Sequence, residues 1–143
     1  MAVGAGTSVT AEAQGNNLDF YALNVKVDLT VNGTLNATTK GCVYQNDYPV
    51  ALLVDGTLRV VGGQVTATSD GRNGNDGCQG YGIKANVLEI GGGGTVRAYS
   101  NGYSTKTNRY DGKEAIYVSS NLTVDLGGYL YAKTQNPILS NEN

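Results

Sequence analysis

Five times in this chain a short glycine-led phrase returns: GTSVTAE from Gly6, GTLNATTKG from Gly33, GGQVTATSDG from Gly62, GTVRAYSNG from Gly94 and GGYLYAKT from Gly127. Aligned on their central aliphatic residue, Val9, Leu35, Val65, Val96 and Leu130 fall in register, and alanine follows two positions later each time. The alanines are Ala11, Ala37, Ala67, Ala98 and Ala132, spaced 26, 30, 31 and 34 residues apart. Between each pair lies a polar or surface-tolerant residue: Thr10, Asn36, Thr66, Arg97 or Tyr131. Alternation with period two is the pattern of a strand with one buried face. Repetition of one such strand at a period of about 30 residues is the signature of a solenoid, because a strand this short buries its face only against copies of itself.

The remainder of each unit agrees. A second alternating segment precedes the last four echoes: LTV at Leu29, LRV at Leu58, LEI at Leu88 and LTV at Leu122. A third lies further upstream: ALNV at Ala22, ALLV at Ala51, GIKA at Gly82 and AIYV at Ala115. The unit therefore reads as three short strands, two tight corners and one loose loop. Glycine supplies the corners, where the chain turns abruptly or takes positive φ. The expected fold is an all-β, right-handed parallel β-helix of about four coils plus an N-terminal strand, the hand following the usual chirality of parallel crossovers. Residues 1–143 form one domain in this reading, and a domain excised from a longer exported protein is the expectation. The rival is an antiparallel sandwich, for which Asp55-Gly56 is a fair hairpin signal. A sandwich, however, has no reason to repeat alanine at five equivalent positions.

Composition narrows the function. Histidine is absent, which removes imidazole acid–base chemistry, His-dependent triads and His-containing zinc sites. The net charge is -2 and the basic residues are dispersed, so the positive stripe that nucleic acid requires is missing. No apolar run has the length of a membrane-spanning helix. Asp28, Asp55, Glu89, Glu114 and Asp125 do not converge in sequence, although carboxylates can meet across coils. A polysaccharide lyase or hydrolase therefore ranks third among the functions considered. Glu89 and Arg59 are expected to form an exposed pair between neighbouring coils.

Three polar excursions leave the same corner, at Thr38–Pro49, Thr68–Tyr81 and Tyr99–Glu114. Insertions collected on one side of a solenoid often form its binding face; unconstrained surface loops are the alternative. The stretch SDGRNGNDG offers Asp70, Asn73, Asn75 and Asp76 as oxygen ligands for Ca²⁺, with Asp111 and Glu114 as a second candidate site. A hydrophilic turn explains the same residues. Cys42 and Cys78 lie in successive excursions on one side, where a disulfide is expected and two free thiols are the alternative.

The tyrosines are the stronger signal. There are ten, against one Phe and no Trp. Tyr129 and Tyr131 flank core Leu130 and should face outward. Tyr99 projects from the coil below, near Lys133, and Tyr103 and Tyr110 occupy the adjoining loop. Flat amphipathic rings beside polar and cationic side chains suit sugar faces and hydroxyls. Strand propensity alone also places tyrosine on sheets, and a protein partner could use the same rings.

The coils LTVNGTLNAT, LRVVGGQVTATSDG, LEIGGGGTVRAYSNG and LTVDLGGYLYAKT resemble those of bacterial surface β-helix domains, in particular the clostridial carbohydrate-binding β-helix domain. The resemblance runs from about Thr7 to Lys133 and extends to the GI- and AI-led strands at Gly82 and Ala115. It implies export, recognition of acidic or plant-wall polysaccharide, and Ca²⁺ held between coils, a role that would fall on Asp70, Asp76 and Asp111. Similar coils in adhesins and phage fibres imply a spacer or assembly rod instead. The expectation is thus non-catalytic glycan recognition by a secreted or cell-surface protein, through Tyr99, Tyr103, Tyr110, Tyr129, Tyr131 and Lys133. The runner-up is a structural module that self-associates through uncapped solenoid ends.

Overall fold

The computed structural model describes residues 1–15, 20–41, 49–70, 80–101 and 114–134. Among these described residues eleven strands account for the regular structure: β1 Ala2–Val3, β2 Ser8–Gln14, β3 Tyr21–Val25, β4 Leu29–Val31, β5 Thr34–Lys40, β6 Val50–Val61, β7 Gln64–Asp70, β8 Tyr81–Gly91, β9 Thr95–Ser100, β10 Ile116–Val124 and β11 Tyr129–Thr134. Every pairing among them is parallel. One sheet runs β1-β4-β6-β8-β10, with β3 also on β6; the other runs β2-β5-β7-β9-β11. The chain is an all-β parallel β-solenoid of about three turns, and the described residues contain no helix.

The alanine column is in register as the repeat requires. Ala11, Ala37, Ala67, Ala98 and Ala132 stand directly above one another, as do Val9, Leu35, Val65, Val96 and Leu130. The facing sheet stacks Leu29, Leu58, Leu88 and Leu122, and beside them Val31, Val60, Ile90 and Val124. These columns form one continuous core, whose inner members are removed from solvent. Burial of such apolar stacks supplies the main favourable term, about 25 cal/mol per Å² removed from water.

Two features depart from the sequence reading. The first and second segments of the unit separate into β3 and β4 only once; in the later coils they run together as β6, β8 and β10. The expected first corner survives as a slip in the pairing, between Val54 and Thr57 and between Val118 and Asn121. A bulge accommodates the extra residue without ending the strand. Asp55-Gly56 is therefore a bulge and not a hairpin turn. Asp28, one coil below, accepts a hydrogen bond from the Thr57 N–H at 2.8 Å, satisfying a donor that the bulge takes out of the ladder. Second, the pairings Leu23–Leu52–Ile83–Ile116 mark three complete circuits, the partial coils at either end making up the remainder of the expected four.

The other corner joins the two sheets, and its paired glycines do different work. Gly62 and Gly127 have φ of 68° and 80°, in the left-handed region that favours glycine. Gly63 and Gly128, which follow them, are needed for lack of a side chain. A Cβ on Gly63 would lie 2.6 Å from the Val31 carbonyl oxygen, and one on Gly128 2.8 Å from that of Ile90, each in the coil below.

Candidate functional site

The outer face of the second sheet is built from the positions that alternate with the core. In the lower coils these are small and polar: Thr34, Asn36 and Thr38 on β5, and Gln64, Thr66 and Thr68 on β7. In the upper two coils the same columns become large at every position but Thr95. Thr95, Arg97 and Tyr99 on β9 stand in register with Tyr129, Tyr131 and Lys133 on β11. Alternation around Val96, Ala98 and Leu130 turns these side chains outward.

The side chains reach diagonally across the two rungs, to residues two positions away from their register partners. The Tyr99 and Tyr131 rings lie 5.8 Å apart with a tilt of 51°. The Arg97 guanidinium sits 5.5 Å from the centre of the Tyr129 ring. Ring pairs and cation–π contacts at these separations are attractive and hold the side chains in place. Tyr129 and Tyr131 nonetheless keep 49% and 39% of their surface exposed. The structure thus brings together Tyr99, Tyr129, Tyr131 and Lys133, and adds Arg97, which the sequence reading treated only as a surface residue.

A second cluster was missed. On the first sheet the Lys84 ammonium lies 5.4 Å from the Tyr81 ring and 5.6 Å from the Tyr117 ring, and the two rings meet edge to face at 5.9 Å. Next to it, the Ser119 hydroxyl donates to Asn86 at 2.9 Å. The signal was available, since aligning GIKA with AIYV sets Lys84 beside Tyr117. Only the position of Tyr81, just outside the repeated tetrapeptide, required the structure.

Several carboxylates are engaged in contacts between coils. Besides Asp28 on Thr57, Asp55 pairs with Lys26 at 3.1 Å, Glu12 with Lys40 at 2.7 Å and Glu89 with Arg59 at 2.7 Å. The last is the exposed pair anticipated from sequence. The hydrogen bond and negative charge of Glu89 raise the Arg59 pKa above its ordinary value. Among the described residues no group of three or more His, Cys, Asp or Glu side chains gathers where it could hold a metal. Asp70 closes β7 in register with Lys40, and its carbonyl accepts from the Gly41 N–H at 3.0 Å. Of the remaining calcium candidates Glu114 is exposed, while Asn73, Asn75, Asp76 and Asp111, the cysteines Cys42 and Cys78, and Tyr103 and Tyr110 lie outside the described residues. No helix among the described residues is long and apolar enough to cross a membrane.

A third arrangement is internal. Thr39, Ser69 and Ser100 stack in register and are fully buried at the end of the second sheet. The Thr39 hydroxyl donates to Ser69 Oγ at 3.3 Å, and Ser100 Oγ has no partner among the described residues.

Comparison of the chain with protein families, with curated proteins and with solved structures finds no match.

Proposed function

We propose that this solenoid recognises polysaccharide without catalysis, as a module of a secreted or cell-surface protein. The observation that carries the reading is the patch of Tyr99, Tyr129 and Tyr131 beside Arg97 and Lys133. Tyr99 and Tyr131 contact each other and Tyr129 takes the Arg97 guanidinium, yet Tyr129 and Tyr131 keep substantial exposed area. Rigid, half-exposed tyrosines offer apolar faces to the C–H side of a pyranose and hydroxyls to its rim, at low cost in side-chain entropy. The two cations add donors for hydroxyl or carboxylate oxygens. The outer columns lower on the sheet are threonine, asparagine and glutamine, which extend a hydrogen-bonding surface along the solenoid axis. An extended face of this kind fits a chain ligand better than a small molecule, which needs a concave pocket.

The test is a glycan array probed with and without Ca²⁺, followed by titration of any bound oligosaccharide. Tyr129→Ala combined with Tyr131→Ala should weaken binding by about tenfold or more, since truncating aromatic anchors commonly costs over 1 kcal/mol each. Tyr117→Ala on the other sheet serves as the comparison. Undiminished binding by the double variant removes the patch from the site. Loss on chelation would assign a role to Ca²⁺ and direct attention to Asp70 and its loop. Silence across the array would sink the reading.

A further inference from the structure

The last rung of the solenoid, whose outward residues carry part of the proposed sugar patch, also leaves its inward residues and its strand edge open. Among the described residues, β10 and β11 each have a strand neighbour on one side only. Their inward residues are consequently uncovered: Leu122 is 50% and Val124 45% exposed, whereas Leu88 and Ile90 directly beneath are fully buried. Leu126 at the adjoining corner is 98% exposed. The backbone is open as well. The Tyr129 N–H donates to Gly94, so by the alternation of donors along a strand the N–H groups of Leu130, Ala132 and Thr134 point to the unpaired edge. At the opposite end, β1 and β2 are likewise paired on one side only among the described residues.

We propose that a second copy of this chain stacks head to tail on this rung, with β11 pairing in parallel with β2 of the next molecule. Three observations select a second copy as the occupant. First, the columns continue. In the register repeated within the chain, Leu130 meets Val9, Ala132 meets Ala11, Val124 meets Val3 and Leu122 meets Met1. Second, the edges match in direction, because every rung in the molecule is parallel to the next. Third, the charges are complementary. Lys133 and Glu12 occupy the same column at opposite ends, so stacking brings them face to face. Among the described residues no ion pair engages Lys133, and Glu12 holds Lys40 from within its own molecule.

A head-to-tail contact is heterologous, and one that repeats the solenoid's own step along its axis does not return to its start, so it grows into a filament. The outer face would grow with it, setting Tyr131 beside Thr10 and Lys133 beside Glu12 of the neighbour.

The experiment is sedimentation velocity with multi-angle light scattering from low micromolar to near-millimolar protein, without glycan. The weight-average mass should climb from the 14.9 kDa monomer through its multiples as concentration rises. Ala132→Pro removes an edge-facing donor that β9 does not use, a substitution tolerated on edge strands, and should hold the protein as a monomer. Lys133→Glu and Glu12→Lys should each weaken self-association by about threefold to tenfold, through loss of the pair and like-charge repulsion. Mixing the two single variants should restore association, because opposite charges then face each other at every contact between unlike molecules. Circular dichroism confirms that each variant is folded, and the charge mixture remains decisive where Ala132→Pro disturbs β11. A mass fixed at 14.9 kDa throughout overturns the proposal. So does association that ignores the edge variant, or a mixture no stronger than its components.

Discussion

Ala67→Leu tests the alanine column at its centre. Ala67 is fully buried, with Ala37 and Ala98 stacked directly below and above it, themselves buried. On its own strand it is flanked at the inward positions by Val65 and Ser69, also without solvent contact. Stacked strands lie about 4.8 Å apart, so the added isopropyl group cannot escape along the axis without displacing a neighbouring rung. Burying three more carbons is favourable by about 2.4 kcal/mol if room exists. In a filled core, strain outweighs that gain and leaves a net cost of about 1–3 kcal/mol. For a domain of this size each kcal/mol moves Tm by about 2–4 °C, so the expected fall is about 2–12 °C. The control lies in the same column: Ala132 is exposed on the last rung, and Ala132→Leu should stay within about 0.5 kcal/mol of the parent. Both are measured by calorimetry at low protein concentration, where stacking is minimal. An Ala67→Leu melting point at or above the parent, or an equal fall for Ala132→Leu, would falsify the argument that this column sets the core width.

Further tests follow from the corners and the buried hydroxyls. Gly63→Ala sets a methyl against the Val31 and Gly33 carbonyl oxygens and should cost about 1–3 kcal/mol, whereas Gly4→Ala enters open space and should be nearly neutral; thermal melts of the pair decide. Ser100→Ala removes a buried hydroxyl that has no partner among the described residues and should leave stability unchanged or slightly raised, while Ser69→Ala strands the Thr39 hydroxyl and should lower it by about 1–3 kcal/mol, read from urea midpoints at constant m. Arg59 stays protonated across the working range on its ordinary guanidinium pKa alone, and the hydrogen bond and charge of Glu89 raise that pKa further. Its contribution is complete below the unfolded pKa and is lost only as pH climbs through the still higher folded value. Glu89→Gln should therefore leave the alkaline limb of a stability–pH profile unchanged up to strongly basic pH.

How much of this could be read in advance depends on what each residue answers to. The columns through Val65 and Ala67 were legible because they obey a rule repeated at every rung: small or aliphatic inward, polar outward, in one register. The pair of Arg59 with Glu89 followed from the same arithmetic. The bulge at Asp55-Gly56 was not legible, because a hairpin and a bulge ask for the same permissive residues. What decides between them is a long-range event, the Asp28 carboxylate reaching the Thr57 N–H from the coil below. The Tyr81–Lys84–Tyr117 cluster was half legible for a related reason, since two of its members sit inside the repeat and the third just outside it.

The same distinction separates the fold from the site. A core column is constrained on both sides by its own copies, so its chemistry recurs and can be recognised. The outer columns face solvent and are free to change from Thr66 to Arg97 to Tyr131 along one line without disturbing the stack. Their change toward large aromatic and cationic residues in the upper coils is therefore not demanded by the scaffold. Strand propensity accounts for a tyrosine on a sheet, yet it does not require Tyr99, Tyr129 and Tyr131 to gather on adjacent rungs with Arg97 and Lys133 among them. That concentration, on the rung whose edge and inward residues are also open, makes the upper end of the solenoid the place where recognition and assembly would meet. Binding that strengthens as the weight-average mass rises would show them to be coupled, because each stacked copy brings another set of rings within reach of the same glycan chain.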